Sequence, residues 1–237
     1  MGNNNFVLKG KEAFFSLFDK PVFSGKHGIN LAIVFGKGVD VQPMIGTFTN
    51  TARNLKVEFK VDKLELAAAY KDKDFIMGIE RALKTYQECN ILMVVIPKNL
   101  STAYPRLKLA TYAHDRETPL ITQFVTDATL RSKKGAQSVH TKLLLQMIAK
   151  RGNILWVPSY QEEMNNVLDK TMMVGLDSGS KGGCSMMAAC GTINSTFSLM
   201  ASATRPLEGV EKKFQAMLAV TVDVLKAYAS RNKGPPR

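Results

Sequence analysis

The sequence predicts an α/β protein in which a mainly parallel, doubly wound sheet is followed by a smaller antiparallel unit. Three observations carry this. Short apolar runs at 29–35, 90–96 and 120–125 stop at Gly, Pro or polar residues, as strands buried on both faces do. Stretches with apolar residues at helical spacing alternate with them, the pattern of repeated strand-helix-strand units. Beyond a polar break at 159–166, short apolar runs are separated by Gly, Ser and Asn, which suits a meander.

In chain order, residues 1–28 form a lead-in segment whose apolar cluster Glu12-Ala-Phe-Phe-Ser-Leu-Phe18 is interrupted by Pro21 and Gly25. The run 29–35 is a strand ended by Gly36 and Gly38. Met44, Phe48 and Ala52 give 41–56 a helical stripe, and 57–61 alternates as a half-buried strand does. Phe75, Ile76, Ile79, Ala82 and Leu83 share one face of a helix over 72–86. Residues 90–96 make the most hydrophobic strand, ended by Pro97. A helix over 101–114 follows, with Ser101 as candidate cap and Pro105 tolerable in its first turn. A strand at 120–125, a helix at 137–150 and a strand at 154–157 ended by Pro158 complete the first unit. In the second, strands at 172–176, 185–190 and 197–201 precede a helix opened by Pro206, running from 207 to about 231, with Val210, Phe214, Leu218, Leu225 and Tyr228 inward. Three strands and one helix leave this unit unclosed.

A chain of 237 residues supports one large domain or two modest ones. Its net charge of +12 and pI near 9.6 favour a polyanionic partner without choosing among nucleic acid, anionic membrane and acidic protein. No apolar run is long enough to span a bilayer, and the first residues lack the apolar region of a signal peptide. Met-Gly at the start invites lipidation, but Phe6 stands where that motif wants Ser or Thr. A monomer inside the cell, in cytoplasm or nucleus and without membrane attachment, is expected. Cys89, Cys184 and Cys190 lack the paired spacing of zinc ligands and are expected to be buried, reduced thiols; His27, His114 and His140 form no ligand pattern.

The residues with chemistry to offer gather between 90 and 156. Lys142, Gln146 and Lys150 follow one another at helical-turn spacing along one stripe. On spacing alone such a stripe is more often the wet face of a packed helix. Yet Tyr104 and Lys108 are also one turn apart, near a helix start. Gln123 interrupts an otherwise apolar strand, where an unpartnered amide would cost about 1–3 kcal/mol. Two lysines, two amides and an aromatic hydroxyl are what a terminal phosphate needs, with the tyrosine ring free to stack on a base. Sites in doubly wound folds lie outside the carboxyl ends of the strands, where the loops after Ile96 and Val125 fall.

Tyr104-Pro-Arg-Leu-Lys108, Thr122-Gln-Phe-Val125 and Thr141-Lys-Leu-Leu-Leu-Gln-Met-Ile-Ala-Lys150, followed by Gly152 and Leu155-Trp156, resemble the MID domain of the Argonaute family. Gln rather than Lys at 146, within Thr-Lys-x-x-x-Gln-Met, is closer to the Piwi clade. The resemblance runs from about Gly28 to the end of the chain. It implies a Rossmann-like MID domain over 29–160 after the lead-in segment, and at 161–237 the N-terminal part of an RNase H-like PIWI domain. It also implies that Tyr104 stacks on and hydrogen-bonds the 5′ nucleotide of a small guide RNA, piRNA-like, in RNA silencing. Lys108, Gln123, Gln146 and Lys150 would bind its 5′-phosphate, with Mg²⁺ beside Gln146 helping to neutralise phosphates. The segment 97–103 would read the first base. Lys98, Arg106, Arg131, Lys133 and Lys134 would suit the following phosphates, each singly being ordinary solvated surface.

Val174-Gly-Leu-Asp177 resembles the first catalytic strand of the PIWI domain, and Arg205-Pro-Leu-Glu-Gly-Val-Glu211 falls where the family carries a mobile glutamate. Asp177 would be a metal ligand, and either Glu208 or Glu211 the glutamate; equally, Asp177 is an ordinary turn former and the glutamates complement a helix dipole. Cleavage by two metals needs several ligands around both ions. With two of the family's four catalytic positions, the chain is expected to be inactive as a nuclease alone, and target RNA would be engaged only by a longer protein. Two other readings remain. One is a doubly wound enzyme for a small ligand, although no GxGxxG or GxxxxGK[ST] follows any strand. The other is a Piwi-derived interaction module that does not bind RNA.

Overall fold

The computed structural model describes residues 27–66, 71–112, 120–131, 136–157, 167–168, 170–181, 183–207, 209 and 212–236. The lead-in segment thus lies almost wholly outside the described residues, as do Lys133, Lys134, Glu208, Val210 and Glu211. The chain divides into two units, Met1–Trp156 and Val157–Arg237.

In the first unit, β1 (Ile29–Gly36), β2 (Phe59–Leu66), β3 (Ile91–Ile96) and β4 (Ile121–Thr126) pair in parallel in the order β2-β1-β3-β4. The helices are α1 (Gln42–Asn54), α2 (Asp72–Thr85), α3 (Tyr104–Ala110), α4 (Asp127–Leu130) and α5 (Ala136–Lys150). β1 and β3 are central, which is why their sequences are continuously apolar instead of alternating. One face of the sheet sends the odd-numbered residues Leu31, Ile33, Ile91, Met93 and Val95 against Met44 and Phe48 of α1 and Leu144, Met147 and Ile148 of α5. The other sends Ala32, Val34, Leu92, Val94 and Ile96 against Phe75, Ile79 and Ala82 of α2 and Leu107 of α3. Fully burying side chains such as Phe48 and Phe75 contributes roughly 1.5–3 kcal/mol each. At Gly78 a Cβ would come within 2.6 Å of a Leu66 methyl, so glycine lets α2 sit close on the sheet.

Three expectations for this unit are corrected. The expected helix over 101–114 is a 3-10 segment, Lys98–Ala103, followed by the shorter α3. Pro105 sets that start, since a residue without an N–H belongs in a helix's first turn, and Ala103, not Ser101, stands at the N-cap, without a side-chain cap bond. β2 runs on to Leu66 because, as an edge strand, it needs to bury only Leu64 and Leu66 there. Residues 154–157 form no strand beyond a single bridge at Ile154.

The second unit is an antiparallel sheet, β5 (Val174–Lys181), β6 (Cys184–Thr192) and β7 (Met200–Leu207), against which α6 (Lys213–Asn232) packs. The third strand begins at Met200, not at 197. Asn194 builds the preceding turn by accepting the Ser198 and Leu199 N–H groups, and Phe197 takes a positive φ there. Pro206 does not open the helix: it lies in β7, at the sheet edge, where a missing N–H breaks no ladder bond. The buried stripe of α6 is Ala216, Val220, Val224 and Tyr228; Tyr228 is inward as expected, whereas Phe214 and Leu218, also expected inward, are 67% and 55% exposed. Cys89 is buried, but Cys184 and Cys190 are exposed thiols, contrary to expectation. Among the described residues no helix is long and apolar enough to cross a membrane.

Candidate functional site

β4 forms one edge of the parallel sheet, and side chains from opposite faces meet along it. Parallel pairing places Thr122 opposite Leu92, on the α2–α3 face, and Gln123 opposite Met93, on the α1–α5 face. From α3, the Lys108 ammonium donates to the Thr122 hydroxyl. From the last turn of α5, the Lys150 ammonium donates to Gln123 Oε1 at 2.8 Å and to the Thr122 carbonyl at 3.1 Å. Gly152, with φ +91°, ends α5 just beyond and leaves Lys150 at its tip. Asn153 fastens that end by exchanging two hydrogen bonds with the His27 backbone, 3.0 and 2.8 Å.

Burial pulls the Lys108 ammonium below the ordinary lysine range. Lys150 is lowered too, first by burial and then by repulsion from Lys108. Neither ammonium has a carboxylate partner among the described residues. Lys108 is half-buried and Lys150 largely exposed, and among the described residues both ammonium groups meet only neutral oxygens, an unfavourable arrangement that a bound anion relieves. Gln123, 9% exposed, keeps its amide nitrogen nearly free, its contact among the described residues being the Phe124 carbonyl at 3.5 Å. Tyr104 begins α3 and stands edge-on to Phe124 with ring centroids 5.1 Å apart, leaving the tyrosine 43% exposed. Lys108 lies over the Phe124 and Tyr112 rings at 5.9 and 5.4 Å.

Tyr104, Lys108, Gln123 and Lys150 are therefore brought together, with Thr122 and Phe124 added by the fold. Gln146 is exposed one turn before Lys150 on the same side of α5. The meeting place is the edge of β4 from Thr122 to Phe124; the crevice outside the strands' carboxyl ends, where the sequence places a site, is not where the lysines converge. Of the basic residues assigned to later phosphates, Arg106 is ion-paired with Asp72 at 2.9 Å and Arg131 with Asp127. Lys98 is exposed. Asp127, whose side chain is nearly buried, accepts the Lys98 N–H at 3.1 Å, a contact that nothing in the sequence signals.

Asp177 lies within β5, opposite Ala188, not at a strand end. It is exposed, and its carboxylate accepts the Ser178 N–H at 2.8 Å. Among the described residues no three His, Cys, Asp or Glu side chains are grouped to hold a metal ion. Among the described residues, one surface carboxylate in β5 and one neutral amide at Gln146 do not by themselves make up a metal's donor set, and Glu208 and Glu211 lie outside those residues.

A family model described as the Piwi domain matches residues 91–237. No curated protein matches the chain. Among solved structures the chain is similar to Drosophila Piwi, at 16% identity and a TM-score of 0.77, over 100% of this chain and 32% of that one. It is similar to Kluyveromyces polysporus Argonaute, solved with a guide RNA, at 17% identity and 0.67, over 90% of this chain and 28% of that one. For the N. crassa QDE-2 AGO MID-PIWI domains the values are 16% and 0.68, over 91% and 63%. The chain thus spans about a third of the first two and under two thirds of the third.

Proposed function

The chain belongs to the Argonaute/Piwi family, and on that premise we propose that its first unit binds single-stranded small RNA by the 5′-phosphorylated end, as the guide-holding part of an RNA-silencing protein. The observation that carries the reading is the Lys108–Lys150 pair, drawn from helices on opposite faces of one sheet and lacking any carboxylate partner among the described residues. A terminal phosphate carries up to two negative charges and offers several acceptor oxygens, so it can take both ammonium groups and the Gln123 amide at once. The exposed ring of Tyr104 is suited to stack on the adjoining base. Gln146 borders the same seat, and Lys98, with Lys133 and Lys134, would follow the next phosphates. Arg106 and Arg131 contribute less, because each is already paired with an aspartate. A guide of the piRNA class and Mg²⁺ as the family's metal complete the proposal. In it, Asp177 with Glu208 or Glu211 would contribute to the cleavage site.

The test is fluorescence anisotropy with one RNA sequence bearing either a 5′-phosphate or a 5′-hydroxyl. The phosphorylated RNA is expected to bind at least about tenfold more tightly, the worth of one charge-assisted hydrogen bond. Equal affinity would refute the reading and favour an interaction module that has no use for RNA ends.

A further inference from the structure

We propose that Asp127 is a positioning residue that holds the base side of the seat, a role distinct from holding phosphate; this rests on the reading under Proposed function. β3 and β4 leave the sheet side by side, Ile96 opposite Thr126. From β3 the chain passes through Pro97 into the 3-10 segment Lys98–Ala103 and directly into Tyr104. From β4 it enters α4, whose first residue is Asp127. The Asp127 carboxylate joins the two exits. One oxygen accepts both the Lys98 N–H, at 3.1 Å, and the Ala128 N–H, at 2.7 Å. The other accepts from the guanidinium of Arg131, one turn further along.

The consequence lies at the far end of the segment. Ala103 is buried in the core beneath α3 and Leu100 packs against it, so the 3-10 segment is fixed at its end by packing. At its beginning it is fixed by the hydrogen bond to Asp127, since the Lys98 side chain itself is exposed. Tyr104 follows at once and takes its backbone position from this segment, while the lysines that face the phosphate take theirs from α3's later turn and from α5. Removing the acceptor should therefore disturb the placement of the ring and of the residues before it, and leave the seat for phosphate largely as it is. A charge that only capped α4 would have no such selectivity.

The experiment uses the whole chain and two 5′-phosphorylated RNAs, one ordinary and one abasic at the first nucleotide. Asp127→Ala is expected to weaken the ordinary RNA on the order of tenfold, the scale of losing a base stack, and to leave the abasic RNA within about twofold. Asp127→Asn, whose amide oxygen can still accept from Lys98, is expected to restore most of the difference. If Asp127→Ala does not fold, Asp127→Glu, which keeps the charge but displaces the acceptor, should show the same selective loss. Equal losses on both RNAs, or none on either, would overturn the role of Asp127 while the 5′-phosphate preference of the unsubstituted chain stood. Absence of that preference in the unsubstituted chain would instead overturn the underlying reading, and this role with it.

Discussion

Replacing Lys150 by Ala removes one of the two charges that a phosphate would meet. Its ammonium is 2.8 Å from Gln123 Oε1 and 3.1 Å from the Thr122 carbonyl. In the complex, that donor would turn to a phosphate oxygen, a charge-assisted bond worth about 1.5–3 kcal/mol, or roughly 10- to 150-fold in affinity. A second effect opposes the first. The Lys108 charge repels Lys150 and already disfavours its cationic form, which offsets part of that worth. The net loss should fall in the lower part of the range, about 10- to 50-fold. The same substitution should weaken a 5′-hydroxyl RNA by no more than about threefold, through the loss of one surface charge. Anisotropy titrations at fixed salt measure both, and thermal denaturation confirms that folding is intact. Parallel losses on the two RNAs would make Lys150 a general RNA contact and not a ligand of the terminal phosphate. No loss on either would place the anion elsewhere.

Tyr104→Ala should cost about 1–3 kcal/mol of affinity for a phosphorylated RNA, whereas Tyr104→Phe, which keeps the ring, should cost well under half of that; isothermal titration of both variants separates stacking from the hydroxyl. Because Lys108 and Lys150 are both held below the usual lysine value of 10.5, the cationic form that binds phosphate is lost as pH rises through their lowered values. Affinity for phosphorylated RNA, followed from about pH 7 upward, should therefore decline before ordinary lysines titrate, and a flat profile to about pH 10 would contradict this. Burial pushes His140 below its ordinary 6.5, partly offset by its hydrogen bond to the Leu130 backbone. As pH falls below about 6.5 the unfolded chain takes up this proton first, so stability should drop on the acid side. Urea midpoints between about pH 5 and 7.5 should fall with pH, and His140→Gln should flatten the slope.

What is legible in the sequence follows from burial. β1 and β3 are covered on both faces, so their apolar runs admit one interpretation, and α2 declares itself by a single stripe through Phe75, Ile79 and Ala82. Edge elements are quieter. β2 buries two residues of its second half, too few for the alternation to mark its end, and Pro206 reads as a helix opener because an edge strand tolerates proline as readily as a first turn does. In α6 the bulky residues mislead, since the smaller Ala216, Val220 and Val224 pack on the sheet and Phe214 is exposed. At the site, Gln123 is conspicuous as an amide in an apolar strand, and turn spacing ties Tyr104 to Lys108 and Gln146 to Lys150. Asp127 is not legible, since an aspartate after a strand looks the same whether it caps a turn or joins two loops; only the Lys98 N–H, 29 residues away, distinguishes them. The edge-on location is hidden as well, because sequence spacing does not say that helices on opposite faces reach around one strand.

The most direct test of a shared anion seat is a crystal structure of this chain with a nucleoside 5′-monophosphate. The phosphate should lie within hydrogen-bond reach of both Lys108 and Lys150 at the edge of β4, with the base against the Tyr104 ring. A phosphate bound away from that lysine pair, or a base facing away from Tyr104, would contradict it.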